Sequence, residues 1–326
     1  MEKISWGIIG CGDVTELKSG PAFNKVKNSE LVAVMRRDAA KAKDYALRHH
    51  VPKWYADAND LINDRDINAV YIATPPSSHE AYTIAVLEAG KPVYVEKPMT
   101  LHAASAEKMM NSVAGKNGKL VVAHYRRAQP LFKKIKQLVI DKAIGDIRFA
   151  RLALYKKSYT QQDLSFEKTA WRVDPALAGG GLFHDLSPHQ LDLLYFFFGE
   201  PEKAFGFASN QAGLYAADDM VTGNILFKSG VQFSGTWCFN VSESDEEDSC
   251  EIVGEKGKII FSFFEHRPVT VVIGGKTEAI SFDALQHVQQ PMIEQVVNYF
   301  LDQGPNPCSA EEGVEIMKLI DRFTMK

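Results

Sequence analysis

The feature that most constrains the fold is a short apolar run that leads directly into a glycine turn near the N-terminus. Ser5–Ile9 has the composition of a buried strand, and a G-x-G turn follows it before a segment that permits a helix. A strand, such a turn and a helix N-terminus together present backbone N–H groups and a positive dipole end to a pyrophosphate. Thr15 replaces the third glycine of the dinucleotide-binding fingerprint, which weakens the motif. We expect four residues of the turn to contact a dinucleotide: Gly10, Gly12, Asp13 and Val14.

Two arginines stand where the second strand of such a fold would end. Glu30–Met35 is the predicted strand, and Arg36 and Arg37 follow it. An acid about 20 residues past the glycines binds the ribose 2′-OH of NAD, whereas arginine suits the 2′-phosphate of NADP. Asp38 is the predicted N-cap of a helix over Ala39–His49. We therefore expect NADP to be favoured, with NAD as the alternative if the two arginines are only a solvated strand end.

Two further strands are predicted to end at one edge of the same sheet. Asn68–Thr74 is followed by two prolines, and Lys91–Val95 leads into Glu96-Lys97-Pro98. Because strands alternate with helices in this half, the sheet should be parallel and doubly wound, with ligands outside the carboxyl ends of its strands. Lys97 would then stand where a nicotinamide ring and a substrate alcohol meet. The residues expected to line the cofactor site here are Thr74, Pro75, Glu96 and Lys97.

The helix after the first of these strands offers one more candidate. Ser77 and Glu80 have the spacing of a capping box, which predicts a helix over Ala81–Ala89. His79 would lie in its first turn, beside the strand ends. It is either a structural histidine at a helix terminus or a residue that lines the nicotinamide side of the cofactor site.

The second half has the pattern of an open, largely antiparallel sheet. Its β-type runs are Ile147–Tyr155, Ala204–Ala208, Asp219–Phe227, Val231–Phe239, Ser249–Val253, Lys258–Phe264 and Val269–Ile273. Helices are expected at 291–300 and 309–323, the second capped by Ser309 and Glu312, and the acidic run Ser242–Asp248 is expected to be a solvated loop. The predicted fold class is α/β plus α+β. A doubly wound Rossmann domain would span residues 1–123, and a domain for substrate binding and oligomerisation would span residues 124–326.

A glycine-rich segment carries the second group of candidate residues. Gly179–Gly181 would let the backbone approach a cofactor or another strand, and Asp185 and His189 follow. Ser187 to Gln190 has the spacing of a capping box with proline at the first helical position, so a helix is expected to start near Ser187. If the helix starts earlier, the i, i+4 spacing stacks Asp185 and His189 on one face.

Together these motifs resemble a known family. The G-x-G turn, A-T-P-P-S-S-H-E-A, A-G-K-P-V-Y-V-E-K-P and G-G-G-L-F-H-D-L-S-P-H-Q-L-D are similar to motifs of the Gfo/Idh/MocA family of NAD(P)-dependent oxidoreductases, over nearly the whole chain. The resemblance implies that Lys97, Asp185 and His189 are catalytic. Lys97 would donate to the substrate oxygen, and His189 would carry the proton. Asp185 would orient the imidazole or bind a neighbouring substrate hydroxyl.

Further ligand contacts are expected from aromatic and basic residues. Trp171 and Arg172 are predicted to contact the cofactor or the substrate. Tyr125 is either a substrate contact or part of a hinge between domains. Tyr155, like Tyr159, is a candidate for stacking on a sugar ring, although tyrosines on strands more often serve packing.

Charge, hydropathy and cysteine usage exclude several classes of partner. The net charge of −4, from 37 basic and 41 acidic residues, predicts no nucleic-acid surface and no polybasic membrane patch. No uninterrupted apolar run reaches about 18 residues, so no membrane span is expected. Four cysteines without C-x-x-C spacing predict free thiols and a cytoplasmic protein. No metal site is predicted, because H-E-x-x-H is absent and the resemblance explains D-x-x-x-H without a metal.

The sequence therefore predicts an NAD(P)-dependent oxidoreductase acting on a secondary alcohol or ketone of a sugar or cyclitol. The outer face of the C-terminal sheet would form a homodimer or homotetramer. One alternative is a glycoside-processing enzyme that retains NAD(P) for transient oxidation. Another is a nucleotide-binding sensor without turnover, against which the complete Lys97, Asp185 and His189 set argues.

Overall fold

The chain divides into two structural units, and a computed structural model describes residues 2–116 and 118–325. The first unit comprises Met1–Arg126 and Leu285–Met317, and the second comprises Arg127–Ala284 and Lys318–Lys326. The segment Leu285–Met317 thus belongs with the N-terminal unit, whereas the sequence pattern had placed everything after residue 123 in one C-terminal domain. The two units are described separately below.

The first unit contains a six-stranded parallel sheet. Its strands are β1 (Ile4–Ile9), β2 (Ser29–Met35), β3 (Lys53–Tyr55), β4 (Ala69–Ile72), β5 (Val93–Val95) and β6 (Leu120–Val122). Their order is β3-β2-β1-β4-β5-β6. This is the strand order of the doubly wound dinucleotide-binding fold, so the predicted Rossmann sheet is confirmed. Strands β1, β4 and β5 are buried along most or all of their length, as expected for the centre of a parallel sheet.

The second unit contains an eight-stranded, mostly antiparallel sheet. Its strands are β7 (Ile147–Lys157), β8 (Pro201–Ser209), β9 (Met220–Phe227), β10 (Gln232–Val241), β11 (Glu247–Gly254), β12 (Gly257–Phe261), β13 (Val269–Ile273) and β14 (Lys276–Ile280). Their order is β14-β13-β12-β11-β7-β10-β9-β8, and β7 pairs in parallel with β10. The predicted sheet is confirmed. The sequence pattern missed β14 because this edge strand is largely exposed and has no apolar alternation.

Helices flank both sheets. They are α1 (Asp13–Leu17), α2 (Ala39–Arg48), α3 (Ala58–Asn63), α4 (His79–Glu88), α5 (Ala103–Lys116), α6 (Pro130–Ile140), α7 (Gln161–Ser165), α8 (Glu167–Ala170), α9 (Pro175–Ala178), α10 (Gly181–Phe198), α11 (Gln290–Phe300) and α12 (Ala310–Thr324). Two predicted caps are confirmed. Asp38 accepts a hydrogen bond from the Lys41 backbone N–H at 3.1 Å, and Ser309 and Glu312 cap α12 reciprocally.

The predicted capping box at Ser77 and Glu80 is wrong. A 3₁₀ turn over Pro76–Ser78 precedes α4, which begins at His79 without a side-chain cap. The Ser78 hydroxyl instead contacts Thr74 Oγ1 at 2.8 Å and the Pro75 carbonyl at 3.0 Å. The prolines impose a tight turn before the helix, and the serine stabilises that turn.

One face of the second sheet forms a core with α10. Trp237 on β10 donates from Nε1 to Gln190 Oε1 on α10 at 2.6 Å. The Trp237 ring also packs edge-on against Phe183, with 5.2 Å between ring centroids. Arg127 and Asp192 form a buried ion pair that ties α10 to the start of the unit, with 2.5 Å between Nη2 and Oδ1. These contacts fix the helix that carries Asp185 and His189.

The acidic run before β11 is not wholly a solvated loop, so that prediction is wrong at its C-terminal end. Asp248 lies on β11 and is only 1% exposed. Its carboxylate accepts hydrogen bonds from the backbone N–H groups of Phe263, Phe264 and Glu265, at 2.6–3.1 Å. Asp248 therefore holds the turn after β12. A buried carboxylate needs such partners, because one left unpaired in the interior is costly.

Candidate functional site

The glycine turn leaves an open path to its backbone. Gly10 has φ of +94°, and a Cβ there would lie 2.8 Å from the Thr74 backbone nitrogen, so only glycine fits. A Cβ on Gly12 would meet only the Gly10 carbonyl oxygen, at 4.0 Å. The space beside Gly12 is therefore open to a ligand, as close approach of a pyrophosphate requires.

Thr15 at the position of the third glycine is accommodated without loss of packing. It is fully buried, and its hydroxyl donates to the Gly12 carbonyl at 2.7 Å. Its own carbonyl accepts a hydrogen bond from the Tyr45 hydroxyl on α2, at 2.8 Å. Thr15, which stands in place of the third glycine, thus connects α1 to the glycine turn and to α2.

The two arginines after β2 differ in environment. Arg36 is partly buried, and its Nη1 lies 3.5 Å from the Cys11 carbonyl oxygen in the glycine turn. Arg37 is exposed. Burial raises the pKa of the Cys11 thiol to about 11, so Cys11 remains a neutral filler of the turn. The structure brings Arg36 to the turn and leaves Arg37 at the surface of the strand end.

His79 joins the ends of β4 and β5. Its Nε2 lies 2.8 Å from the Thr74 carbonyl oxygen, and its Nδ1 lies 3.1 Å from the Pro98 carbonyl oxygen. The side chain is fully buried, and burial lowers its pKa. These contacts give His79 the structural role that the sequence left open. Direct contact with a cofactor stays a prediction.

Lys97 follows β5 at the carboxyl edge of the parallel sheet. Its side chain is partly exposed, and its backbone N–H donates to the Glu96 Oε2 at 3.1 Å. Glu96 is buried, and its Oε1 accepts a hydrogen bond from the Tyr71 hydroxyl at 2.5 Å. The Glu96 carboxylate thus has partners inside the protein, and its predicted cofactor contact stays a prediction. Thr74 and Pro75 lie at the same edge, after β4.

Tyr125 lies just beyond the end of β6, in a 3₁₀ turn over Tyr125–Ala128. The residue is 5% exposed, and the Arg126 guanidinium carbon lies 5.7 Å from the centre of its ring. Strand β6, which precedes Tyr125, pairs with β5, which leads to Lys97. The predicted substrate contact at Tyr125 remains a prediction.

In the second unit, α10 begins earlier than its capping signal indicated. The helix runs over Gly181–Phe198 and includes Pro188, so a start near Ser187 is wrong. A proline inside a helix costs about 3 kcal/mol, but each fully buried leucine or phenylalanine contributes about 1.5–3 kcal/mol. Most residues of α10 are buried, which offsets the proline. Asp185 and His189 are therefore one turn apart on one helix face, which is the alternative that the sequence left open.

The glycines at the start of α10 lie close to side chains of the protein itself. A Cβ on Gly180 would lie 2.1 Å from His184 Nδ1, and Gly181 has φ of +75° with Ala217 close by. A side chain at either position would displace the first turn of α10. These glycines therefore place Asp185 and His189 through the helix.

Asp185 belongs to a polar cluster within the second unit. Its Oδ2 lies 3.2 Å from Arg172 Nε, and the Arg172 guanidinium stacks 5.2 Å from the centre of the Trp171 ring. Burial raises the pKa of Tyr159, while the neighbouring Arg172 acts in the opposite direction. Burial also raises the pKa of Tyr215 to about 12, with Asp219 and then Tyr159 as further causes. The structure thus brings Trp171, Arg172 and Asp185 together with two tyrosines.

Tyr215 was missed by sequence analysis because it lies in a loop without a motif. Asp219 holds that loop by accepting hydrogen bonds from the backbone N–H groups of Gln211 and Ala212, at 2.7 and 2.8 Å. The only sequence signal that the loop is ordered is the short distance along the chain between the loop and Asp219.

His189 is buried beside Phe264, with 6.0 Å between ring centroids. The Phe264 backbone N–H donates to Asp248 Oδ2 at 2.6 Å. Asp248 therefore fixes the aromatic neighbour of His189. The sequence does not indicate this role for Asp248, because the residue stands in an acidic run typical of solvated loops.

Tyr155 is not brought together with Asp185 and His189. It pairs with Glu247 on β11 and lines a depression on the outer face of the sheet with Arg151 and Thr236. The neighbouring residues Leu152 and Leu154 point to the inner, buried face, where α10 packs. Because side chains alternate along a strand, Tyr155 lies on the opposite face from the helix.

Within residues 2–116 and 118–325, no group of three or more His, Cys, Asp or Glu side chains could hold a metal ion. No helix of these residues is long and apolar enough to cross a membrane. All four cysteines are free thiols.

A six-stranded Rossmann sheet with an open glycine turn and an eight-stranded sheet with a D-x-x-x-H helix fit an NAD(P)-dependent oxidoreductase. Residues 4–124 match the oxidoreductase family with NAD-binding Rossmann fold, and residues 132–260 match the GFO/IDH/MocA C-terminal domain. The chain belongs to the Gfo/Idh/MocA family, which confirms the resemblance drawn from its motifs.

Relatives support this membership along the whole chain. Oxidoreductase P35 of Formosa agariphila is 46% identical over 321 residues, covering 98% of each chain. The trans-1,2-dihydrobenzene-1,2-diol dehydrogenase of Oryctolagus cuniculus is 32% identical, covering 78% of this chain and 72% of that protein. The structure of a levoglucosan dehydrogenase in complex with NADH and levoglucosan has a TM-score of 0.88 at 21% identity, covering 98% and 96% of the two chains. That last likeness shows that the fold is shared.

Proposed function

We propose that the protein transfers a hydride between a nicotinamide cofactor and a secondary alcohol or ketone of a sugar or cyclitol. The observation that carries the proposal is the placement of Asp185 and His189 one turn apart on α10, with Asp185 paired to Arg172. The names of relatives support the substrate class. A dihydrobenzene-diol dehydrogenase and a levoglucosan dehydrogenase both take hydroxyl groups borne on a ring.

The glycine turn fits a dinucleotide. Gly12 faces open space, and the backbone from Gly12 to Val14 leads into the first turn of α1. These residues would hold the pyrophosphate, with Asp13 exposed beside it. When bound, the nicotinamide supplies a hydride acceptor or donor. The protein supplies the groups that bind the substrate and move its proton.

Three residues would perform those tasks. Lys97 would donate a hydrogen bond to the reacting oxygen and stabilise its alkoxide character. His189 would accept the hydroxyl proton during oxidation and return it during reduction, because imidazole exchanges a proton near neutral pH. Asp185, held by Arg172, would bind a neighbouring hydroxyl or orient the imidazole. Tyr125, Trp171 and Arg172 are further proposed ligand contacts.

A panel of sugars and polyols tests the proposed function, with absorbance at the nicotinamide band as the readout. Turnover of at least one ring-borne secondary alcohol or its ketone is expected. Binding of NAD(P) without turnover of any panel member would favour the sensor. If a nicotinamide cofactor co-purifies with the protein and a glycoside is cleaved in the assay, the result would favour the glycoside-processing enzyme with a retained cofactor.

We propose NADP as the favoured cofactor, on the basis of Arg36 and Arg37. The double substitution Arg36→Ala, Arg37→Ala should weaken NADPH binding by about 10- to 100-fold, because it removes charge-assisted bonds to the 2′-phosphate. NADH binding should change little. Fluorescence titration with both cofactors measures the effect, and Lys43→Ala, an exposed lysine on α2, is the control. Equal affinity of the unsubstituted protein for NADPH and NADH would contradict the preference.

We also propose that the outer face of the second sheet forms the subunit interface of a homodimer or homotetramer. Phe205 and Phe207 on β8 are 60% and 65% exposed, and Phe149 on β7 is 41% exposed. Between them the face is polar, with Arg151 and Lys258 both bonded to Glu251. Large apolar side chains exposed on one face are typical of interaction surfaces.

Phe207→Glu should dissociate this assembly. Burial of one phenylalanine contributes about 1.5–3 kcal/mol, so its replacement by a charge should weaken association at least about tenfold. Light scattering over a range of protein concentrations measures the change. Leu47→Glu is the matched control, because Leu47 on α2 of the first unit is 67% exposed. An unchanged mass for Phe207→Glu would reject this face as the interface.

The localisation we propose is the cytoplasm, in keeping with four free thiols.

A further inference from the structure

The turn before α11 is anchored to the far end of the helix that starts at the glycine turn. The Gln289 backbone N–H donates to the Lys18 carbonyl at 3.2 Å. His287, two residues earlier, places its Nδ1 2.7 Å from the Leu17 carbonyl oxygen and its Nε2 2.7 Å from Lys25 Nζ. The backbone of Gln289 is thus fixed against the C-terminal end of α1.

The side chain of Gln289 reaches from this anchor into the sheet. It is fully buried, and its Nε2 donates to Glu96 Oε1 at 2.6 Å. A second, longer contact of 3.4 Å runs from Nε2 to the Tyr71 hydroxyl oxygen. Its Oε1 accepts a hydrogen bond from the Tyr94 hydroxyl at 3.0 Å. Both ends of the amide are therefore used, and the amide orientation follows from these partners.

Glu96 connects this amide to Lys97. Its Oε1 receives the Tyr71 hydroxyl and the Gln289 amide, while its Oε2 receives the Lys97 backbone N–H. Burial raises the pKa of both tyrosines well above the usual range, so their hydroxyls keep their protons and remain donors. The donors around a buried carboxylate hold it in place. If one donor is lost, the carboxylate oxygen is left unsatisfied and the protein bears the free-energy cost of its desolvation.

We infer that Gln289 is a positioning residue for Lys97. By fixing the Glu96 carboxylate, it fixes the backbone N–H of the next residue and with it the direction from which the lysine side chain leaves the sheet edge. Gln289 itself is fully buried, so it would act on the reaction only through Glu96 and Lys97. This inference rests on the proposed function, in which Lys97 acts on the substrate oxygen.

Gln289→Leu tests the inference. It keeps the side-chain size and removes both hydrogen-bonding ends of the amide. A displacement of about 1 Å in a catalytic group can cost 100-fold, so kcat should fall by about 10- to 100-fold. The KM for the substrate and the affinity for NADPH should stay close to their original values. A residue that served stability alone would lower the melting temperature without this selective loss of kcat in the folded protein.

Gln295→Leu is the matched control. Gln295 lies on α11, the helix that Gln289 precedes, is partly buried and donates to the Pro291 carbonyl at 3.2 Å within its own helix. Its replacement should leave kcat unchanged. If Gln289→Leu fails to fold, Tyr94→Phe replaces it, since this change removes only the hydroxyl that holds the Gln289 amide. A kcat equal to that of the unsubstituted protein in whichever variant folds would overturn the inference.

A double variant tests whether the effect runs through Glu96. Adding Gln289→Leu to Glu96→Gln should lower kcat little further, because the two substitutions break the same connection. Fully multiplicative effects would overturn the inference. Lys97→Met in the same assay distinguishes failure of the proposed function from failure of the inference about Gln289. Full activity of Lys97→Met would reject the proposed function, whereas an inactive Lys97→Met with a fully active Gln289→Leu would reject only the role of Gln289.

Discussion

Lys97→Met is expected to lower kcat by about 100- to 1,000-fold, the range found when a single donor to a developing oxyanion is removed. Methionine keeps the length of the side chain and removes its charge and its hydrogen-bond donors. The Glu96 network contacts the backbone of residue 97, so it should survive the change. NADPH affinity and the melting temperature should therefore stay near their original values. Stopped assays with a large excess of enzyme would quantify the residual rate.

The control for this substitution is Lys108→Met. Lys108 lies on α5 of the same unit, is 66% exposed and pairs with Glu80 at 3.4 Å. An exposed pair of this kind contributes about 0–1 kcal/mol, so neither activity nor folding should change appreciably. A Lys97→Met enzyme with the same kcat as the Lys108→Met enzyme would show that the catalytic lysine has been assigned to the wrong residue.

His189→Ala should lower kcat by about 100- to 10,000-fold, the usual contribution of a general acid or base. If His189 carries the substrate proton, the bell- or step-shaped pH dependence that it gives to kcat should disappear with it. Rate measurements across pH 5–9 with the best substrate of the panel provide the test. The remaining contacts of α10, including Trp237 to Gln190, should keep the helix in place.

His266→Ala is the control for His189→Ala, because it removes a different histidine from the second unit. His266 is exposed in the turn between β12 and β13. Its replacement should leave both the rate and its pH dependence unchanged. Retention of the pH dependence in His189→Ala would mean that another group carries the proton.

Local patterns predicted the parts of the structure in which neighbours along the chain decide the outcome. The glycine turn, the strand that leads to Lys97 and the Asp38 cap depend on a few adjacent residues, and all are found as expected. The order of the parallel strands follows from their alternation with helices.

Predictions failed where tertiary burial outweighs a local signal. Ser187 and Pro188 have the pattern of a helix start, but apolar residues on both sides are buried, so α10 continues through them. Tyr155 could be placed on a strand, but its face depends on a register that shifts with a single residue. The acidic run predicts a loop at Asp248, because the backbone N–H groups that bind its carboxylate come from a turn later in the chain.

The role of Gln289 is the extreme case. Its partner Glu96 lies 193 positions earlier in the chain. No single sequence pattern links a glutamine before one helix to a glutamate after a strand so far away. Only the packing of the segment 285–317 onto the first unit brings them together.

The return of Leu285–Met317 to the first unit has a consequence for the order in which the chain can fold during synthesis. A ribosome releases residues 1–126 long before Phe300, whose ring packs 5.6 Å from that of Trp6 on β1. Until α11 emerges, this aromatic surface stays uncovered, and the Glu96 carboxylate lacks the Gln289 amide. The intervening segment Arg127–Ala284, which is most of the second unit, is synthesised before α11. The nucleotide-binding unit begins the chain, but it therefore lacks its last segment until nearly the whole chain has been synthesised.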